Sequence, residues 1–400
     1  MRRRYFCQVT GVALGAAQFP ARAAATLRPV IPLGLVGSFA ENWLNQGPLL
    51  QTIEYSLSFL GRKSSRRDYP ACGLTHAQVT DCLRFFRQQL VISSSALEFE
   101  LRVWHYFDFY QSVGKTGTGD VLFTGYYEPV FTGSLTPTER FLYPLYRLPP
   151  DLVLDSRGTC LGRRTATGLT PYPTRQEIEE TQLLKGLELV WLENSFDAYL
   201  VQIQGSARIV LEDGRLLGVG YAGKTDRPYQ SLGKALIQQG RLQPGEVTLP
   251  VLRRYFQAYP EELRSSLYVN QSYVFFKETS LTGPGPTGSI GVPLIAMHAI
   301  ATDRKLFPRG ALALVDVPVP LLGLPETRTL SRFVCNQDTG GAITGPGRVD
   351  LFIGSGPEAE DIAGRMKNLG SLYFPILKPN PSPFNPDARP MRPSSIPETF

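Results

Sequence analysis

The sequence predicts a mainly β protein with helices, of the α+β class, on three observations. Glycine at 38 and proline at 33 of 400 residues, with 18 tyrosines and 22 phenylalanines, favour a turn-rich β protein over a helical bundle. From Val121 onward, short β-rich runs alternate with turns, which is the texture of a barrel-like module. Between residues 75 and 110 the apolar spacing is instead helical. With 42% hydrophobic and 19% charged residues the chain builds ordinary cores, and its length suits two or three domains. No run approaches the roughly 20 consecutive apolar residues that a membrane-spanning helix needs.

Residues 1 to 25 read as an export signal. Arg2, Arg3 and Arg4 form a basic head, Val9 to Phe19 an apolar stretch, and Ala21, Arg22 and Ala23 an A-x-A-like cleavage site. This segment carries four arginines and no acid, so its removal takes the formal net charge from +6 to +2. That balance gives no reason to expect nucleic acid, and no zinc-finger, helix-turn-helix or RNA-recognition pattern is present. Residues 27 to 45 read as an extended start and Leu49 to Leu60 as a first helix. Thr75 caps a helix in which Val79, Leu83 and Phe86 recur at helical spacing, and Ser95 opens a second amphipathic run through Phe99, Val103 and Phe107. Gly114 to Gly119 is a linker.

Strands are expected within Val121 to Phe131, Tyr143 to Pro150, Ala198 to Leu211 and Val219 to Lys224, with a short helix over Thr174 to Leu184. Helices follow over Tyr229 to Gly240, closed by that glycine, and within Pro244 to Leu263. Tyr273 to Lys277 is a β-run and Thr282 to Gly291 a loop. The last module, Val292 to about Lys378, gives short strands at Leu294 to Met297, Ala311 to Val317, Arg332 to Val334 and Val349 to Ile353. A helix near Ala359 to Leu369 and a strand at Leu372 to Leu377 complete it. The seven prolines from Pro379 to Pro397 deny helix and sheet, so the tail is expected to be disordered.

The stretch richest in chemistry is Ser331 to Gly356, SRFVCNQDTGGAITGPGRVDLFIGSG. Asp338 and Asp350 lie twelve positions apart, across a loop that holds Gly340, Gly341, Gly345 and Gly347. Val349, Leu351 and Ile353 alternate with Asp350 and Phe352, so aliphatics bury on one face and Asp350 emerges on the other. A strand holds an acid catalyst more rigidly than a loop does. The bland alternative is an Asx-turn at Asp338 and a solvated Asp350. Asp338-Thr339-Gly340 is also the triplet of aspartic proteases, but those enzymes need two such carboxylates sharing a proton, and the chain has no second triplet. His76, His105 and His298 are scattered and no C-x-x-C or G-x-S-x-G occurs, so neither a metal site nor a nucleophile elbow is expected. Four cysteines lie beyond residue 25, and Cys72 and Cys82 are close enough in sequence to pair; spacing leaves that open.

Seven stretches, FTGYYEPVF, YPLYRLPPDL, VQIQGSARI, YAGKTDRPYQSLGKALI, NQSYVFFKE, VPLIAMHAIATDRKLFPRG and NQDTGGAITGPGRVDLFIGSGPEAEDIAGRM, fall in the order seen in one family. Over roughly residues 50 to 378 the chain resembles the membrane-bound lytic murein transglycosylase A family, with its three-aspartate module at the C-terminal end. The resemblance implies cleavage of peptidoglycan glycan strands between N-acetylmuramic acid and N-acetylglucosamine without water, leaving a 1,6-anhydro ring. It implies a double-psi β-barrel domain built from both chain ends, an inserted second β-barrel-like domain, and a substrate groove between them. On this chain the organisation runs as a helical part at 26–128, an inserted domain at 129–279, the three-aspartate barrel part at 280–378 and the tail at 379–400.

By position, the resemblance makes Asp350 in RVDLF the catalytic acid, with Asp303 in TDR and Asp338 in QDTGG as the other two acids of the site. Whether those two raise the pKa of Asp350 or hold the transition state stays open. Sugar binding is expected at Thr124, Gly125, Tyr126 and Tyr127, at Gln204, Gly205 and Ser206, at Tyr221, Ala222 and Gly223, and at Gly340 and Gly341. One of the two adjacent tyrosines belongs to the core, because strand neighbours face opposite ways. Glycines 125, 205 and 223 are expected to let backbone approach a ligand closely. No cofactor is implied. The expected partners are glycan strands and other cell-wall enzymes, on a monomeric chain. No lipobox cysteine follows the apolar stretch, so a soluble periplasmic enzyme is expected rather than an outer-membrane lipoprotein. A non-catalytic peptidoglycan-binding module is the remaining alternative, disfavoured by three aspartates kept in their motif context.

Overall fold

The computed structural model describes residues 26–156, 158–281 and 283–384; the expected export signal and all but the first six residues of the proline-rich tail lie outside them. The N-terminal layer comprises β1 (Leu27–Val30), α1 (Ala40–Leu44), α2 (Gln46–Leu60), α3 (His76–Ile92), α4 (Ala96–Tyr106) and β2 (Phe107–Ser112). After β3 (Val121–Glu128) come β4 (Val130–Ser134), β5 (Tyr143–Tyr146), β6 (Leu152–Leu154), β7 (Cys160–Thr165), β8 (Gly168–Thr170), α5 (Arg175–Glu180) and β9 (Glu188–Leu192). The middle continues with α6 (Ser195–Gln204), β10 (Ser206–Leu211), β11 (Leu216–Lys224), α7 (Leu232–Gln238), α8 (Leu249–Ala258), α9 (Leu263–Tyr268) and β12 (Val274–Thr279). The C-terminal part holds β13 (Ala299–Ala301), β14 (Leu312–Pro320), β15 (Thr327–Asp338), β16 (Arg348–Ser355), α10 (Pro357–Arg365) and β17 (Lys367–Leu377).

Strands β17, β14, β15, β13, β16 and β3 pair in that order and β3 returns to β17, closing a six-stranded barrel that β1 and β2 extend from β17. Two pairings, β13 with β15 and β16 with β3, are parallel. Parallel neighbours need a long crossover, and for β3 and β16 that crossover contains the whole middle of the chain. The middle forms a second sheet in the order β12-β11-β10-β4-β9-β5, which curls until Arg147, just after β5, bridges Phe276 of β12. The α+β expectation of one barrel built from both chain ends and a second barrel-like sheet is met.

Period-two alternation sorts the site strand. Val349, Leu351 and Ile353 enter a core shared with Leu314, Phe333 and Phe374 and with Leu83 and Phe86 of α3. Phe352 turns the other way, into a small cluster with Leu294, Ala299 and Tyr126, so Asp350 is on the face opposite the aliphatics. Asn42 of α1 is buried, and it bonds Ser331 O at 3.0 Å and Phe333 N at 2.8 Å, fastening the helical layer to β15.

Several local expectations are corrected. The second helical run stops at Tyr106, and Phe107 starts β2, pairing with Leu377. The first half of Ala198 to Leu211 is helix, not strand: Asn194 caps it through Asp197 N, and Phe196, Tyr199 and Leu200 bury one side of α6. Leu294 to Met297 forms no strand; the strand begins later, as the short β13, and Met297 adopts φ 62°. The last helix ends at Arg365, so β17 begins at Lys367, five residues before Leu372. Cys72 and Cys82 are both free thiols. Residues 379–384 lie along α4, where Phe384 N donates to Tyr106 Oη at 2.8 Å and Arg102 covers the Phe384 ring.

Gly125 shows how tightly α10 sits on β3. A Cβ there would stand 2.7 Å from Ala363 Cα, backbone that cannot rotate away. Gly125→Ala is therefore expected to lower stability by about 1–3 kcal/mol, read from denaturant unfolding; an unchanged midpoint would mean that α10 slides freely on the barrel.

Candidate active site

One row of residues crosses the barrel. Asp338 of β15 pairs with Ala301 of β13, Ala301 with Asp350 of β16, Asp350 with Thr124 of β3, and Thr124 with Lys367 of β17. Directly paired residues project from the same face of a sheet, so two of the three aspartates share one face by register alone. Asp303 comes just after β13, in the turn that leaves this row.

Around Asp350 three side chains close a triangle. Thr124 Oγ1 donates to Asp350 Oδ1. Arg348 Nε donates to the same Oδ1 at 3.0 Å, and Arg348 Nη2 donates to Thr124 Oγ1 at 2.8 Å. Both protein donors thus converge on Oδ1, and among the described residues none bonds Oδ2. The side chain is 18% exposed. Burial pushes its carboxyl above the ordinary range, against the Arg348 guanidinium and the Thr124 hydrogen bond.

Asp338 is tied differently. Its Oδ1 accepts from Ser289 N at 2.9 Å and Thr339 N at 2.8 Å, and its Oδ2 accepts from Tyr126 Oη at 3.1 Å. Burial raises its pKa, and these same donors oppose the rise. Tyr126 is raised well above its usual value by burial, by Asp338 and by Asp350, so it stays a neutral donor between two carboxylates. Asp303 orders the intervening loop: Oδ2 accepts from Gly345 N at 2.8 Å and Oδ1 from Lys305 N at 2.9 Å. Thr339 Oγ1 donates to Thr302 O at 2.9 Å, so the D-T-G triplet serves as a strand end.

Tyr127 is the core member of the tyrosine pair, 2% exposed, with its hydroxyl donating to Glu360 at 2.9 Å. Its backbone N donates to Gln204 Oε1 at 3.1 Å, which fastens the end of α6 beside the site. Gly205 ends α6 with φ 82°, and Ser206 opens β10 opposite Gly220. Tyr221 is 46% exposed, and the register slips between it and Gly223, at Ala222. Gly340 packs against Ile343, and the Lys224 ammonium lies 3.1 Å from where a Gly341 Cβ would be. The space beside Gly223 is taken by Leu148 and that beside Gly125 by Ala363, so packing explains both glycines.

Sequence reasoning missed Arg348, Tyr229, Ser289, Lys224 and Lys367. Arg348 was within reach, since it precedes Asp350 by two on a strand and so shares its face. Tyr229 senses both Arg348 and Asp350 electrostatically although it lies in a loop with no local signal. A cavity of about 560 Å³ opens beside Thr124, walled by Tyr199, Leu200 and Leu232 on one side and by Ala363 and Lys367 on the other.

If Asp350 works as a general acid it must be protonated, and activity should then fall as pH rises through its pKa. Arg348 holds that value down; Arg348→Met should move the alkaline limb of kcat/KM to higher pH. An unmoved limb would show that another group sets it.

Residues 122–277 match the family model described as the MltA specific insert domain, and residues 298–375 match that of the 3D domain. The chain is similar to membrane-bound lytic murein transglycosylase A of Escherichia coli K12, with 33% identity over 281 residues, 70% of this chain and 71% of the relative. It is similar to the protein of that name from Vibrio cholerae, with 34% identity over 275 residues, 67% and 69% of the two chains. Among solved structures, a membrane-bound lytic murein transglycosylase from Agrobacterium tumefaciens superposes with a TM-score of 0.71 at 27% identity, over 84% of this chain and 94% of that one. Escherichia coli MltA with bound chitohexaose superposes with a TM-score of 0.65 at 27% identity, over 84% and 90%.

Proposed function

This chain belongs to the membrane-bound lytic murein transglycosylase A family, and from that premise we propose that Asp350 alone serves as acid and then base in cutting peptidoglycan glycan strands. The enzyme is a lytic murein transglycosylase; the single-carboxylate route and its anhydro product are our reading. What carries it is the asymmetry at Asp350, where Oδ1 holds both protein contacts, Oδ2 accepts from no donor among the described residues, and burial favours the protonated acid.

Protonated Asp350 gives its proton to the glycosidic oxygen as the bond to the muramoyl C1 breaks, and the N-acetylglucosamine side leaves with a hydroxyl. The muramoyl C6 hydroxyl attacks C1, and its proton passes to the Asp350 carboxylate, restoring the acid. Ordinary glycosidases need a second carboxylate as nucleophile or as base for water; here the substrate supplies the nucleophile. Asp338, saturated with donors, is suited to remain an acceptor that holds positive charge at the transition state through the Tyr126 side of the site. Asp303 acts as a positioning residue for the loop at residues 339–347. The substrate then lies between the barrel and the inserted sheet, against Thr124, Gln204 and Tyr221. Such an enzyme works in the cell envelope, reached by export through residues 1–25.

The test is to digest purified sacculi and weigh the soluble fragments. Fragments lighter by one water than hydrolytic products, carrying 1,6-anhydromuramoyl ends, support the reading; reducing muramic ends overturn it.

A further inference from the structure

Positive charge is gathered on one face of the protein. Arg62 precedes the tight turn Lys63–Asp68, and Lys63, Arg66 and Arg67 lie within it, all four exposed. Ser65 pins that turn from inside: it is buried, its hydroxyl donates to Arg62 O at 2.7 Å, and it meets His76 Nε2 at 2.9 Å. Arg62 reaches the loop whose Ser289 N bonds Asp338, donating to Ile290 O at 3.1 Å and Gly291 O at 3.0 Å. Arg309 joins the turn to residues 303–310, with Nη1 donating to Asp68 at 3.1 Å and Nη2 to Ser289 O at 2.9 Å. Asp303 adds the loop at 339–347 by accepting from Gly345 N. Residues 61–75, 283–291, 303–310 and 339–347 therefore make a continuous face outside the Asp338 end of the site.

These four segments hold seven bases and two acids, a formal +5. Residues 26–400 carry +2 altogether, so the rest of that chain is net acidic. Both acids are engaged, Asp68 by Arg309 and Asp303 by the amides of Lys305 and Gly345. Among the described residues Lys63, Arg66, Arg67, Arg304 and Lys305 have no acidic partner, and no strongly exposed large apolar side chain lies on the face. A surface for a peptide or a lipid bilayer needs apolar anchors. Cations alone suit a polymer whose negative charge repeats along its length. N-acetylmuramic acid is such a unit: its lactyl ether ends in a carboxylate on every peptide-free disaccharide.

We infer that this face is a second binding surface for the glycan strand, where the turn at Lys63–Asp68 holds muramoyl carboxylates beyond the disaccharides at Asp350. The inference rests on the proposed cleavage of murein strands and needs no peptide on them. A strand already seated at the acid meets the face at high effective concentration, so a few weak ion pairs suffice.

The experiment uses long glycan strands freed of peptide by an amidase, the same strands with their carboxylates converted to methylamides, and a Lys63→Ser, Arg66→Ser, Arg67→Ser variant, in which only exposed side chains change. Binding is measured with Asp350→Asn also present, so that it does not depend on turnover. The triple variant should bind the carboxylate strand about tenfold more weakly at low salt, the order expected from three exposed ion pairs, and the difference should fade as salt rises. With Asp350 intact, the same substitutions should raise KM on the long strand by that factor while kcat, and kcat/KM on a tetrasaccharide that spans only the cleaved bond, stay unchanged. An equal loss on the methylamide strand would make the turn structural, and an undiminished affinity would remove it from binding; either overturns the inference. So would a loss confined to strands that keep their peptides, or binding to phosphatidylglycerol vesicles that the strand cannot displace. Reducing instead of anhydro ends on every strand would overturn the cleavage reading and leave the binding result standing.

Discussion

Asp350→Asn should lower turnover by about a thousandfold, the order of contribution expected for a positioned general acid, while the protein stays folded and still binds glycan. The substitution is nearly isosteric, and the amide oxygen still accepts from Thr124 and Arg348. What disappears is the transferable proton. Folding stability gives an independent check. Because the folded-state pKa of Asp350 is raised by burial, the protonated acid is the form that fits. Stability from this group is therefore present below its unfolded value and is lost as pH rises through the folded one. The native chain should accordingly lose stability relative to Asp350→Asn between acidic and neutral pH. Activity within a few fold of native would remove Asp350 from the acid role.

Arg175→Met should cost about 3–5 kcal/mol, the penalty for breaking a buried charge network. Arg175 is 2% exposed and knits three elements together. Its Nε donates to Asn270 O at 2.9 Å, and its Nη2 donates to Gln202 Oε1 at 2.7 Å and Ser272 O at 2.8 Å. The guanidinium lies 5.1 Å from the Tyr199 ring and 4.8 Å from the Tyr273 ring. Methionine fills similar volume but leaves those acceptors unsatisfied, each at a cost of about 1–3 kcal/mol. Since Gln202 lies on α6 two residues before Gln204, a fall in activity should accompany the fall in the unfolding midpoint. A variant with a native midpoint would show that water replaces the guanidinium.

Legibility differed between the two halves of the site. The alternation around Asp350 gave its face directly, because a strand has a two-residue period that local sequence carries. The helix α6 was read as strand because Val201 and Ile203 are β-branched and outweighed the cap at Asn194. The row from Asp338 to Lys367 was out of reach for a different reason. Register joins Thr124 of β3 to Asp350 and Lys367, each more than 200 positions away, and β13, which links β15 to β16, has three residues, too short to show a period. The glycines show the limit from another direction: Gly125 was expected to admit a ligand, whereas Ala363 occupies the space beside it. Sequence marks a glycine but not what presses on it. Free cations are likewise invisible in a sequence where arginine and lysine total 41, since only the fold tells which ones lack an acid.

The central claim is that one carboxylate suffices because the substrate attacks itself, and water labelled with heavy oxygen tests this most directly. Digestion of sacculi in that water should release muropeptides with no label at the new muramoyl end. One heavy oxygen per cleavage, retained after exchange with ordinary water has been controlled for, would mean that water attacks and that Asp350 has a second carboxylate partner.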